Sequence, residues 1–278
     1  MNKSKVLILK FFNIEKLFLF WAVAFSSALL SQNSNIEVGY THYLNLGKAT
    51  QSDWTLIFDS SKSLFIETSK PRFIDPNDSK IDNSDFLKSK VFITSSPDIN
   101  RYVLTDFKSD TLWHQTYILS KPYMVYEMLL KPKWNILDEF KNIDTYVVQK
   151  ATTRFRGRNY TAWFSSEFPV SFEPWKMNSL PGLILEVYDE LNQVHFIVNK
   201  IKSTSENLLD SRMEEITSRG EKISLKEFVK LEDKEGDEIQ KQVISKISRA
   251  GFENRNLTVS GFESAGRKYK LEIIYEWE

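Results

Sequence analysis

From residue 36 to residue 202 the chain repeats one pattern. Short runs in which aliphatic or aromatic side chains alternate with polar ones are each closed by turn-forming residues. Successive side chains of a strand point to opposite faces, so a period of two describes half-buried strands. The short spacing of the runs points to antiparallel sheet rather than to strand–helix–strand units. The opening runs are residues 36–46 (IEVGYTHYLNL), 54–58 (WTLIF) and 63–67 (SLFIE), with Asp59, Ser60, Ser61 and Lys62 supplying turn chemistry before the third. Strands are expected again at 101–106, 111–118, 123–129, 146–155, 160–165, 183–189 and 194–202, and a closing strand at 268–277 (KYKLEIIYEW). Residues 134–140 read as a connector. Residues 70–90, which hold Pro71, Pro76 and several Asp and Asn, read as an exposed connection with a short helical turn near Phe86 and Leu87.

One region departs from this period. Ser224 followed by Glu227 is a capping box at the head of residues 224–232, and Ile239, Val243, Ile244 and Ile247 form an apolar stripe at helical spacing in residues 238–249. The expected fold class is therefore mainly β, or α+β: a curved antiparallel sheet, half-barrel in its more closed form, with a C-terminal helical insertion. An aromatic content of 14% fits a pleated, half-buried architecture.

The N-terminus has the layout of a secretory signal: Lys3, Lys5, Lys10 and Lys16, then the apolar run 17–30 (LFLFWAVAFSSALL), then the polar Gln32, Asn33, Ser34 and Asn35. The run is shorter than the roughly 20 residues a spanning helix needs. Residues 1–31 are thus expected to be a cleaved signal peptide, and residues 32–278 a single, mildly acidic domain. Cysteine is absent, which removes disulfides, thiolate metal sites, a cysteine nucleophile and the lipid-modified cysteine of a lipoprotein. The net charge of zero carries no basic excess of the kind nucleic-acid binders show.

Catalytic signatures are missing. His42, His114 and His195 lie in separate expected strands, without a neighbouring His or acidic pair at metal-ligand spacing. No GxSxG, GxxxxGK[ST], GxGxxG or HExxH motif occurs. Glu186, Asp189 and Glu190 are carboxylates without a sequence-level partner. No metal and no cofactor is expected. The segment densest in unusual residues is 154–183. Arg154, Arg156 and Arg158 stand two apart and would share one face of a continuous strand, although Gly157 can place a turn among them. With Tyr160, Trp163 and Trp175 they are candidate ligands for a carboxylate, a phosphate or a sugar acid. The alternative is a solvated charged face backed by core aromatics. Pro181 and Gly182 read as a type II turn pair.

Residues 179–184 (SLPGLI), with KATTRFRGRNYTAWFSSEFPVSFEPWK before them and LEVYDE after, resemble the GLPGLI family of exported Bacteroidetes proteins. Leu180, Pro181, Gly182, Leu183 and Ile184 match the family hexapeptide, whereas Ser179 replaces its first glycine and Val148 stands where the family often has cysteine. The resemblance is strongest over residues 146–189. It implies a periplasmic or surface-exposed protein without an established activity, often associated with outer-membrane transport of the TonB-dependent type, and it carries no catalytic residue. The expected function is a non-enzymatic ligand- or partner-binding module of the envelope. The alternatives are a hydrolase acting on glycan or peptide, and a structural or assembly protein.

Overall fold

The computed structural model describes residues 35–46, 49–74, 101–118, 121–168, 170, 172, 174–204, 209, 212–213, 220–249 and 270–278. The expected signal peptide, and the helical turn near Phe86 and Leu87, lie outside these residues.

The chain forms one large, curved, unclosed sheet. Its strands are β1 (Asn35–Asn45), β2 (Ala49–Phe58), β3 (Lys62–Glu67), β4 (Arg72–Phe73), β5 (Tyr102–Asp106), β6 (Thr111–Ile118), β7 (Lys121–Met128), β8 (Asn135–Ile143), β9 (Tyr146–Phe155), β10 (Arg158–Ser165), β11 (Leu183–Asp189), β12 (Val194–Thr204) and β13 (Glu221–Ser224). Their order is β13-β7-β6-β5-β3-β2-β1-β12-β11-β10-β9-β8, with β4 paired to β2. Neighbours are antiparallel except β13, which runs parallel to β7. The first strand pairs with the twelfth, Tyr40 opposite Val198 and His42 opposite Phe196, and this joins two meanders into one surface. The helix α1 (Leu225–Arg249) begins on the expected capping box: the Glu227 amide donates to Ser224 Oγ at 3.3 Å and the Ser224 amide to Glu227 Oε2 at 3.3 Å. Among the described residues no helix is long and apolar enough to cross a membrane.

Alternation places the cores. The inner face carries Val38, Tyr40, Trp54, Leu56, Phe65, Ala151, Ala162, Val187 and Phe196, and the segment 174–182 lays Trp175, Met177 and Leu180 over it. Trp54 stacks on Phe65 at 4.8 Å and His42 on Phe196 at 4.1 Å, while the buried Tyr40 hydroxyl donates to the Ile184 carbonyl at 2.7 Å. On the other side of β2, β3 and β5, Ile57, Leu64, Ile66, Tyr102 and Leu104 form a second cluster beneath Leu209. A third joins Tyr123 and Val125 of β7 to Leu225, Phe228 and Val229 of α1 and to Tyr275.

Three expectations need correction. Residues 134–140 are no connector: most of them belong to β8, an edge strand whose pairing with β9 is interrupted between Ile136 and Phe140. An edge strand buries little, so its apolar period is weak. Residues 270–278 form no strand despite their alternation. Their backbone amides at Ile273 and Ile274 both reach the Arg156 carbonyl, and Tyr275 packs against α1, so the segment crosses the inner side as a strap. Pro181 and Gly182 do not make a type II turn, which would need a positive φ at glycine. The left-handed residue nearest the pair is Ser179, at φ 82°. Gly182 is needed for room, since a Cβ there would meet the Ser165 carbonyl oxygen at 2.3 Å.

Candidate functional site

The arginine-rich segment is a hairpin, and the hairpin separates its three guanidinium groups. Arg156 (φ 46°) and Gly157 (φ 88°) form a two-residue loop of the left-handed type that suits the twist of paired strands. Phe155 pairs with Arg158 and Arg154 with Asn159, so the arginines do not share one strand face.

Two of them are spent on the protein itself. Arg156 is buried and donates to Glu127, Glu272 and Glu276, while Lys176 Nζ lies 2.5 Å from Glu127 Oε1 and 2.8 Å from Glu272 Oε1. Burial alone would favour a protonated Glu127. The charges of Lys176 and Arg156 outweigh it and lower its pKa to about 2. A carboxylate held this firmly ionised cannot serve as a general acid near neutral pH, so the cluster acts as a clamp that ties β7, the hairpin, residue 176 and the strap together. Beside it, burial first and Lys176 next push His114 down to about 3, and its Nδ1 lies 3.9 Å from Glu127 Oε1. Arg158 is equally committed. It donates to Asp189 Oδ2 at 2.7 Å, to Gln193 Oε1 at 2.9 Å, and to the carbonyls of Lys270 and Leu271 at 2.7 and 3.1 Å. Tyr160 is buried with a hydroxyl that has no partner among the described residues, and burial raises its pKa. Trp175, at φ 59°, packs edge-on to Phe155. Leu180, Leu183 and Ile184 are core.

Arg154 and Trp163 are placed differently. Register puts Arg154, Thr152, Lys150, Asn159, Thr161, Trp163, Glu186, Tyr188 and His195 on the outer face of β8–β12, opposite the core. Near its centre, Lys141 Nζ stands 4.4 Å from the Trp163 ring centre and 2.5 Å from Glu186 Oε2, and His195 Nε2 lies 3.0 Å from Glu186 Oε1. Burial opposes ionisation of Glu186, but the hydrogen bonds from His195 and Lys141 prevail and lower its pKa. The His195 ring sits between Tyr43 at 5.8 Å and Tyr188 at 5.7 Å. Toward the sheet edge the same face opens into a depression of about 470 Å³ lined by Lys133, Asn135, Thr152, Thr153, Arg154, Asn159, Tyr160, Thr161 and Glu190. Thr153 Oγ1 donates to the Lys133 carbonyl at 2.9 Å and fixes the rim.

Of the residues expected from sequence, the outer face thus carries Arg154, which lines the depression, and Trp163, which lies apart from it beside Lys141. It adds Lys133, Asn135, Thr152 and Thr161, which sequence reading passed over. Once Gly157 is taken as the centre of a hairpin, pairing outward from it places Thr152 opposite Thr161, so that signal was present. The contribution of β8 was not, because its bulge obscures the register.

No protein-family model matches the sequence, and no curated protein matches it. Among solved structures, PNGF-II superposes with a TM-score of 0.48 at 15% identity, over 73% of this chain and 33% of that one. An uncharacterized conserved protein from Thermus thermophilus gives 0.36 at 9% identity, over 74% and 99%. A putative outer membrane lipoprotein-sorting protein domain from Vibrio parahaemolyticus gives 0.29 at 9%, over 71% and 97%. The chain spans about a third of the length of PNGF-II. At these values the likeness transfers no activity, ligand or partner.

Proposed function

We propose that this chain is an exported, non-enzymatic binding module of the cell envelope, working beside an outer-membrane transporter of the TonB-dependent type, and that it takes its ligand on the outer face of β8–β12. The observation that carries this reading is the division of labour between the two faces. The inner face is filled by residues 174–182 and by the strap, and Arg156, Arg158 and Lys176 there are consumed by carboxylates and carbonyls. The outer face keeps an open depression lined by charged groups that have no ion-pair partner among the described residues. Export rests on the basic and apolar N-terminal pattern, and the transport association on the resemblance of residues 146–189 to GLPGLI proteins.

Native mass spectrometry of the protein isolated from its own envelope fraction, with glycan and lipid extraction of the same sample, tests this. Wild-type protein should carry a ligand that a Thr161→Arg variant, which blocks the floor of the depression, does not retain. A bare wild-type chain, or a ligand held equally by the variant, would show that the outer face is not the binding surface.

A further inference from the structure

The cations along the outer face and its rim fall into two classes. Lys141 is paired with Glu186 and Lys150 with Glu139, at 2.5 and 2.8 Å. Lys133 and Arg154 have no carboxylate partner among the described residues, although both line the same depression. Two unpaired cations held at one site repel each other, and an anion relieves that repulsion. The carboxylate lining the depression, Glu190, accepts from Asn159 Nδ2 at 2.9 Å. The lining residues therefore carry a net single positive charge.

Its neutral groups narrow the ligand further. Thr152 and Thr161 oppose each other across β9 and β10, and Asn135 opposes Thr152 across β8 and β9. The two hydroxyls and the Asn135 side-chain amide make no hydrogen bond among the described residues, and no large apolar side chain lines the site, because the Tyr160 ring lies on the core side of β10. Two strand spacings by two residues give a floor of about 10 by 7 Å. The open depression of about 470 Å³ falls within the volume range of small-molecule sites and is roomier than a bare ion needs. A guanidinium prefers a planar carboxylate, to which it donates two parallel hydrogen bonds. Unspent hydroxyl and amide groups prefer ligand hydroxyls, which can both donate and accept.

We propose that the depression between β8, β9 and β10 binds the carboxylate-bearing ring of an acidic saccharide. Arg154 grips the carboxylate, Lys133 supports it from the rim, and Thr152, Thr161 and Asn135 pair with ring hydroxyls. This deepens the proposed function and rests on its assignment of the outer face.

The test is calorimetric titration of the full chain with tetragalacturonate, tetramannuronate, the methyl ester of tetragalacturonate, and inorganic phosphate. At least one uronate should bind. The ester and phosphate should bind at least about tenfold more weakly, and Arg154→Gln and Lys133→Gln should each weaken uronate binding about tenfold, the loss expected of a charge-assisted hydrogen bond. Lys131→Gln, outside the depression, should change nothing. Equal binding of the ester would overturn carboxylate recognition, phosphate binding as strong as uronate binding would overturn the saccharide, and no binding of either uronate would overturn both. If the uronates fail while the envelope-purified protein loses its ligand on Thr161→Arg, only the ligand class is wrong. If that protein is bare as well, the outer-face assignment fails with it.

Discussion

Arg158 Nη1 lies 2.7 Å from Asp189 Oδ2, with both side chains almost wholly buried, so the hairpin and the end of β11 are joined by an ion pair shielded from water. The other Asp189 oxygen accepts from the amides of Gln193 and Val194 at 2.6 and 2.9 Å, and the remaining Arg158 donors hold the strap. Breaking such a pair from one side leaves an uncompensated buried charge, at a cost of about 3–5 kcal/mol. Asp189→Asn should lower stability by that order in urea titrations. Arg158→Met should also make residues 270–278 sensitive to limited proteolysis at concentrations that leave the wild type intact. An Asp189→Asn variant as stable as the wild type would rule out this structural role for the pair.

The stretch of residues 179–184 makes a prediction in both directions. Ser179 holds φ 82°, a conformation that costs an L-residue about 1–2 kcal/mol and glycine almost nothing. Stability should rank Ser179→Gly above wild type and wild type above Ser179→Val, with the valine lower by about 1–2 kcal/mol. Gly182→Ala should be destabilising by about 3 kcal/mol or more, because the added carbon collides with the Ser165 backbone and not with a side chain that can turn away. Thermal unfolding of the three variants gives the order directly.

Acid should weaken the fold through two imidazoles. His42 is pushed down to about 3 by burial and then by Arg101, and His114 to about 3 by burial and then by Lys176. The unfolded chain takes up these protons near pH 6.5, where the folded chain does not. Their contribution is therefore complete above pH 6.5 and declines as the pH falls toward 3, by up to about 1.4 kcal/mol per pH unit for each. Glu127, lowered to about 2, adds a loss that begins below pH 4.5. Urea midpoints measured from pH 8 to pH 4 should fall from about pH 6.5, and the His42→Gln, His114→Gln double variant should flatten the upper part of that slope. A wild-type midpoint constant from pH 7 to pH 5 would contradict the buried, neutral state of both rings.

Removal of the helix cap should act locally. Ser224→Ala deletes one hydroxyl from the reciprocal pair with Glu227 and should cost about 1 kcal/mol. Hydrogen exchange of amides 226–228 should accelerate about fivefold, with the amides of β9 and β10 unchanged.

How much of this was legible in the sequence depends on how local each cause is. The capping box is a contact between residues three apart, and the Arg156–Gly157 loop is a contact between adjacent ones, so both were visible as spacing. Alternation likewise located the strands β1, β3, β6, β7 and β9–β12 close to their observed limits. The strap misled, because alternation reports that two faces of a segment differ and not what satisfies its backbone. In residues 270–274 the backbone partners are Arg156 and the Arg158 side chain, more than a hundred positions away.

The sequence by itself determined that the chain builds a large antiparallel sheet and where its hairpin turns and helix start, since those follow from side-chain period, glycine and a cap. Only the tertiary structure decided which arginines are available to a ligand. Arg154, Arg156 and Arg158 are alike as letters. The hairpin turns one to the outer face, while the carboxylates of Glu127, Glu272 and Asp189 neutralise the other two on the inner side. That assignment comes from strand register and from partners brought close by folding, and no local pattern encodes it.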